Sequence, residues 1–127
     1  MPDSETTLAE LRQIVRQFVD RRDWHQFHTP KNLAMSLSIE AAELMEHFQW
    51  LTAEQSRAVV DDGEKLAAVG EELADVLCYV LAMANALKLD VSTAVRDKIG
   101  KNALKYPASE YRGRFGPDDP NPAPGRD

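Results

Sequence analysis

The chain of 127 residues has few of several features that would each point to a class of protein. Its single cysteine, Cys78, excludes an intrachain disulfide and predicts a reducing, cytoplasmic location. No basic segment leading into an apolar stretch is found near Met1, and the longest apolar run, from Val76 to Leu87, is too short to cross a bilayer. Lysine and arginine number 15 against 21 acidic residues, so we expect no nucleic-acid polymer as a partner. The composition predicts a soluble protein that is not bound to a membrane.

Helix start signals are frequent, and no alternation typical of strands occurs. Thr7-x-x-Glu10 and Thr52-x-x-Gln55 are capping boxes, and Thr29-Pro30 reads as an N-cap followed by proline at the first helical position. Asp61-Asp62-Gly63 precedes a long helical pattern, and Asp90 caps a last one. The predicted helices cover about 8–22, 30–50, a short stretch after 52, 64–88 and 91–105.

The segment from Pro107 onward differs from the rest, since it holds five of the seven prolines and three glycines. We therefore predict one all-α domain over residues 1–106 and a flexible tail, without fixed structure, over 107–127. The run from Val76 to Leu87 is apolar on nearly every side, which indicates a buried helix or one shared with a partner subunit.

Two acidic motifs, Glu40-x-x-Glu43 and Glu72-x-x-Asp75, lie within these helical patterns. Each pair is about 60° apart on a helix, so two facing helices would bring four carboxylates together. Hard oxygen ligands of this kind prefer Mg²⁺, with Mn²⁺ as an alternative. Carboxylates on helices more often form a solvated face, but these pairs flank or open apolar stripes, where charges need a partner.

Other metals fit the spacing less well. Di-iron bundles use Glu-x-x-His on two helices, whereas Glu43 and His47 are four residues apart and the second motif has no histidine. Zinc prefers histidine or cysteine ligands, and these are nearly absent beside the acids. Magnesium is the better match.

Aromatic and cationic residues accompany the acids. Helical projection places Trp50 on the face of Glu40 and Glu43, and Tyr79 on the face of Glu72 and Asp75. The last helix adds possible phosphate and sugar or base contacts: Lys98, Asn102 and Lys105. Metal ligands, ammonium groups and stacking rings together favour a nucleotide.

From about Leu8 to Pro107 the chain resembles the MazG-like all-α nucleoside triphosphate pyrophosphohydrolases, and within them the dCTP pyrophosphatase branch. The resemblance is carried by Arg22-Asp23-Trp24-His25-Gln26-Phe27-His28, Glu40 through Trp50, Glu71 through Tyr79, and Lys98 through Tyr106-Pro107. It implies a MazG-like four-helix bundle that forms a homotetramer, a dimer of dimers. It also implies Mg²⁺-dependent attack of an activated water on the α-phosphorus, which gives a nucleoside monophosphate and pyrophosphate.

The resemblance also implies roles for individual residues. The metal ligands would be Glu40, Glu43, Glu72 and Asp75, with Glu43 and Glu40 as the catalytic pair. One of the four ligands, such as Glu43, would also orient the attacking water. Around the nucleotide it places Trp24, His28, Trp50, Tyr79, Lys98, Asn102 and Tyr106. The favoured substrate is dCTP or a modified dCTP, as in dNTP pool sanitation.

Two other interpretations stay open from the sequence. One is a related house-cleaning enzyme that acts on dUTP or on a broad range of nucleotides. The other is a non-catalytic helical interaction protein, in which the acidic pairs form salt bridges between subunits and stability does not depend on Mg²⁺.

Overall fold

A computed structural model describes residues 1–122, and the described part of the chain is helical without any strand. Its helices are α1 (Leu8–Arg21), α2 (Pro30–Glu46), α3 (Ala53–Arg57), α4 (Gly63–Leu87), α5 (Val91–Lys105) and α6 (Ala108–Tyr111). Short 3₁₀ segments occupy Asp3–Glu5 and Ala58–Asp61. The predicted all-α class is confirmed. None of the helices in the described residues is long and apolar enough to span a membrane.

The predicted helix starts are confirmed because each depends on local hydrogen bonds. In both capping boxes the threonine hydroxyl accepts from the backbone N–H three residues later, and the side chain at that position accepts from the threonine N–H. Asp62 caps α4 and Asp90 caps α5 through the same acceptor role. Such signals lie within four residues of sequence, so they can be found without knowledge of the tertiary structure.

The predicted end of α2 at about Trp50 was wrong. The helix ends at Glu46, and His47 is its C-cap residue. Most of the hydrogen bonds that follow reach carbonyls three residues back, as in Phe48 N–H to Met45 O at 2.9 Å and Leu51 N–H to Phe48 O at 3.0 Å, whereas Gln49 N–H donates to Met45 O four residues back. Trp50 therefore lies beyond the helix, and the helical projection that places it with the acids does not apply to it.

The first compact unit, Met1–Leu89, is organised around α4, against which α1 and α2 both pack. Its core contains Val19 of α1, Leu33 of α2 and Leu81 of α4. Leu33 and Leu81 are each only 2% exposed, and burial of such side chains stabilises a fold by about 1.5–3 kcal/mol each. The core lies beside the second half of α4, which leaves the first half to carry the acidic motif.

Helix α4 was predicted to be either buried within its own chain or shared with a partner subunit, and it is too exposed for the first arrangement. Leu73, Leu77 and Leu87 are 56%, 43% and 47% exposed. Cys78, which was expected inside a buried helix, is also exposed. The expectation of a helix buried within its own chain was therefore wrong, and a face shared with a partner subunit remains as the other interpretation.

The second compact unit begins at Asp90 and contains α5 and α6. After α6, Phe115 N–H donates to Asp119 Oδ2 at 2.7 Å and Asn121 Nδ2 donates to Gly113 O at 2.9 Å. The first part of the predicted flexible tail thus has local hydrogen-bonded structure, and residues 123–127 lie outside the described part. The boundary between residues 106 and 107 stays a prediction. Of the four long helices, α1, α2 and α4 lie in the first unit and α5 in the second.

Candidate metal centre and adjoining cavities

Two packed helices bring three carboxylates together. Glu40 and Glu43 come from α2 and Glu72 comes from α4, and one oxygen of each lies within 4.8 Å of the others. We call these three residues the carboxylate cluster. The Oε2 atoms of Glu40 and Glu72 are shielded from solvent and have no hydrogen-bond partner among the described residues. A cation would supply the partner that these oxygens lack, and an oxygen-only set suits Mg²⁺ or Mn²⁺.

The acids perturb one another electrostatically. A hydrogen bond with Glu43, then burial, then the charges of Glu43, Asp75 and Glu72 raise the pKa of Glu40 to about 7. Burial raises the pKa of Glu72, and the charge of Glu43 raises it further. Like charges that share a small site resist ionising together. A divalent ion would relieve this repulsion, so the electrostatics of the carboxylate cluster fit a metal site.

Asp75 stands apart from the other three acids. Its charge reaches both Glu40 and Glu72, but its oxygens are not part of the converging set. It lies instead on the wall of a neighbouring cavity of about 440 Å³, which we call the front cavity. The structure therefore brings three of the four predicted ligands together and places the fourth between the carboxylate cluster and the front cavity.

The front cavity is formed by α1, α4 and the loop between α1 and α2. Helix α1 contributes Ile14, Val15, Phe18 and Val19. Helix α4 contributes Asp75, Cys78, Tyr79 and Ala82, and the loop contributes Trp24 and His28. Predicted nucleotide contacts Trp24, His28 and Tyr79 thus share one cavity beside an acid. Its mostly apolar and aromatic walls, with a few polar groups, are typical of a small-molecule site.

Backbone and ring contacts fix the loop. Asp23 has a positive φ of 51°, and Trp24 N–H then donates to Val19 O at 3.2 Å. The Trp24 ring meets Phe18 edge to face at 5.8 Å between centroids, while the Arg22 guanidinium lies 3.7 Å above the Phe18 ring. Trp24 is 40% exposed, which leaves part of its ring available to a ligand. Burial, and then the charge of His25, lower the pKa of His28.

A second cavity of about 100 Å³, which we call the rear cavity, adjoins the front one. The two share Val15, Val19, His28 and Ala82 as lining residues. The rear cavity adds Arg16, His25, Asn85 and Ala86. Sequence reasoning missed Arg16 and Asn85 as well as Phe18 and Cys78. Asn85 could have been noticed as an amide within an apolar run, whereas an exposed arginine on α1 carries no such signal.

Other predicted site residues are found elsewhere. Trp50 follows α2, is 87% exposed and lines none of the cavities described above. Lys98, Asn102 and Lys105 lie on α5, and Tyr106 is its C-cap residue, all within the second unit. There Lys105 Nζ lies 5.2 Å from the Tyr106 ring centroid, and Tyr106 meets Tyr111 edge to face at 5.3 Å. Their predicted contact with the nucleotide stays a prediction.

Known proteins are similar to this chain in sequence. Residues 35–114 match the model of the MazG-like family. The chain is 39% identical over 110 residues to dCTP pyrophosphatase 1 of Bos taurus, covering 87% of this chain and 65% of the relative. The human dCTP pyrophosphatase 1 is 40% identical over 104 residues, or 82% of this chain and 61% of the relative. The chain thus spans a little under two thirds of the length of these relatives.

A solved structure agrees with the family match. The crystal structure of a pyrophosphatase from Archaeoglobus fulgidus is 41% identical in sequence and superimposes with a TM-score of 0.74. The match covers 84% of this chain and 98% of the archaeal one. By the family model and by this structural likeness, the chain belongs to the MazG-like family.

Proposed function

We propose that the chain hydrolyses a nucleoside triphosphate between its α and β phosphates and releases a nucleoside monophosphate and pyrophosphate. The observation that carries this proposal is the carboxylate cluster, whose oxygens converge beside an aromatic cavity. A site with metal-binding oxygens at one end and stacking rings at the other suits a molecule with phosphates at one end and a base at the other. The names of the similar bovine, human and archaeal pyrophosphatases support the same reaction.

The position of each acidic residue indicates the role that we assign to it. Glu40, Glu43 and Glu72, with Asp75 beside them, would hold Mg²⁺ or Mn²⁺. A bound divalent ion neutralises charge on phosphate oxygens and lowers the pKa of a coordinated water. We assign the orientation of the attacking water to Glu43, because its interactions with both Glu40 and Glu72 place it in the middle of the acids. As the water oxygen bonds to the α-phosphorus, a carboxylate would accept the water proton. The bond between the α-phosphorus and the bridging oxygen would break, and pyrophosphate would leave with that oxygen.

The base would lie in the front cavity between Trp24, His28 and Tyr79. We propose dCTP or a modified dCTP as the substrate, supported by the names of the bovine and human relatives. Stacking accepts every base, so a related activity on dUTP or on a broad range of nucleotides is the alternative. A cytoplasmic location agrees with a substrate from the nucleotide pool.

We further propose that the protein acts as an oligomer, a tetramer by family resemblance. Leu66, Leu73 and Leu77 follow one stripe of α4 and are each more than two fifths exposed, at 44%, 56% and 43%. On α2, Met35 and Ile39 are 54% and 57% exposed and lie four residues apart. Contiguous apolar stripes of this kind are costly in water and are usually covered by a partner. Light scattering should give a multiple of the 14.2 kDa chain mass, and a monomer in dilute solution would contradict this proposal.

The deciding experiment measures monophosphate and pyrophosphate release from a panel of canonical and 5-modified dNTPs and NTPs. Turnover should require Mg²⁺ or Mn²⁺, should stop in the presence of a chelator and should favour dCTP. A flat profile would favour the broad house-cleaning alternative. If a folded, Mg²⁺-loaded oligomer turns over no nucleotide, the reaction is wrong and the helical interaction protein gains support.

A further inference from the structure

One face of α4 runs past the carboxylate cluster and both cavities. Asp75, Ala82 and Asn85 succeed one another within an arc of about 80° along this face, and Glu72 lies one turn before Asp75. The axial rise from Asp75 to Asn85 is about 15 Å. The carboxylates, the front cavity and the rear cavity therefore follow in that order, and a base stacked in the front cavity would direct its far edge toward the rear one.

The rear cavity has polar side chains among apolar ones, and it lacks the tryptophan, phenylalanine and tyrosine rings of the front cavity. Arg16 and His25 line it together with Asn85, and none of its lining residues is acidic in the described part of the chain. Asp75 is the acid that lines the front cavity, and the carboxylate of Asp20, which lines neither cavity, is paired with His25. The donors that this end offers to a ligand are therefore those of Arg16.

Asn85 fixes the arginines at this end. Its Oδ1 accepts from Arg12 Nε at 3.0 Å and from a terminal nitrogen of Arg16 at 3.3 Å, and its Nδ2 donates to Arg12 O at 3.1 Å. Arg12 is further held by donation to Leu89 O at 2.7 Å. Among residues 1–122 the bond to Asn85 is the one hydrogen bond of the Arg16 side chain, which leaves most of its five N–H donors for a ligand.

We propose that Arg16, positioned by Asn85, reads the edge of the base and determines which base this chain prefers. The inference rests on the proposed function, because it takes the front cavity as the place where the base stacks. Two donors of a guanidinium match two neighbouring acceptors. Cytosine presents such a pair at O2 and N3, whereas uracil and thymine carry a hydrogen on N3 that would face the Arg16 donors. Substituents at carbon 5 leave the O2 and N3 edge unchanged, so 5-modified cytosines should be accepted as well.

The test compares binding of deoxycytidine and deoxyuridine monophosphates by calorimetry in the presence of Mg²⁺. The wild-type protein should bind the cytidine nucleotide about 10-fold more tightly, as expected for a paired arginine contact. Arg16→Met should bring the two affinities within about 3-fold of each other by weakening cytidine binding. Arg16→Lys keeps the positive charge but loses the paired N–H donors of the guanidinium, so it should retain only part of the preference for the cytidine nucleotide.

Arg21→Met is the matched control, since it removes the same charge from the exposed last turn of α1 without touching either cavity. It should keep the wild-type ratio of affinities, and circular dichroism should show that all variants fold alike. Equal affinities in the wild-type protein, or an unchanged ratio in Arg16→Met, would overturn the role of Arg16.

Binding of monophosphates separates this inference from the proposed reaction. If triphosphates are not hydrolysed but Arg16→Met still removes the cytidine preference, the reaction is wrong and the role of Arg16 stands. If triphosphates are hydrolysed and the ratio is unchanged by the substitution, the reaction stands and the role of Arg16 is wrong.

Discussion

The carboxylate cluster and the loop at the front cavity lie next to each other but are held in opposite ways. In the carboxylate cluster, α2 and α4 bring together groups that repel one another, which raises the pKa of Glu40 to about 7. In the loop, Trp24 is held by contacts that attract: a backbone bond to Val19, an edge contact with Phe18 and the nearby Arg22. Helix packing thus maintains the first region against its own charges, whereas local contacts stabilise the second. Substitutions in the carboxylate cluster should therefore lower activity without lowering stability, whereas substitutions in the loop should impair substrate binding and lower stability.

Replacing the central acid should have the largest effect. Glu43→Gln keeps the size of the side chain but removes its charge, so activity should fall by about 10²- to 10⁴-fold. Its thermal midpoint without metal should not fall, because a repulsive charge has been removed. Glu46→Gln is the matched control on the same helix, since Glu46 is exposed and outside the carboxylate cluster. Retention of more than about a tenth of the wild-type rate in Glu43→Gln would contradict its catalytic role.

Removing the loop aromatic should affect binding and stability together. Trp24→Ala should raise KM about 10-fold with a smaller change in kcat, because a stacking surface for the base is lost. The same change should lower the free energy of unfolding by roughly 1–2 kcal/mol through the lost contacts with Phe18 and Arg22. Steady-state kinetics and chemical denaturation measure the two effects.

Trp50→Ala serves as the comparison for that variant, because Trp50 is exposed and lines neither cavity within one chain. If Trp50 contacts no substrate, Trp50→Ala should leave KM and the free energy of unfolding close to the wild-type values. An equal rise in KM for Trp50→Ala would instead support the original prediction of substrate contact, with Trp50 reaching the base through the oligomer.

Metal and pH should change stability in the direction set by the raised pKa of Glu40. Since its pKa is about 7 in the folded protein against 4.5 for an ordinary glutamate, the folded state binds more protons between these values. The metal-free protein should therefore lose stability as pH rises from about 4.5 to about 7. Mg²⁺ should raise the thermal midpoint more at about pH 8 than at about pH 5.5, where protons compete for the same oxygens.

Glu40→Gln provides the check on this pH dependence. It should flatten the decline in the metal-free thermal midpoint and reduce the response to Mg²⁺. An equally steep decline in this variant would assign the pH dependence to other groups.

The smallest effect is expected at Arg22, which lies above the Phe18 ring and 5.8 Å from the Trp24 ring. Arg22→Met should lower the free energy of unfolding by about 0.5–1 kcal/mol, the value of an exposed cation–π contact. Arg21→Met removes the neighbouring charge and should leave stability unchanged. Equal losses in both variants would mean that net charge, rather than the ring contact, carries the effect.

Sequence was a good guide wherever a few adjacent residues decide the structure. Thr7, Thr52 and Asp90 cap helices through bonds that close within three residues, and these starts agree with the structure. It was a poor guide to the end of α2, where tighter turns begin after Glu46 without a glycine or proline to mark them. The helical projection of Trp50 fails for the same reason, since it depended on extending the helix by four residues, while its contact with the substrate stays a prediction.

The sequence by itself determined the all-helical class, the helix starts and the pairing of acids on α2 and α4, because capping and helical periodicity are local. Only the tertiary structure decided that Glu40, Glu43 and Glu72 converge while Asp75 turns to the front cavity. It also joined Arg16 to Asn85, 69 residues away, beside the rear cavity. Such contacts depend on how α1, α2 and α4 rotate and pack against one another, and the pattern within a single helix does not contain that information.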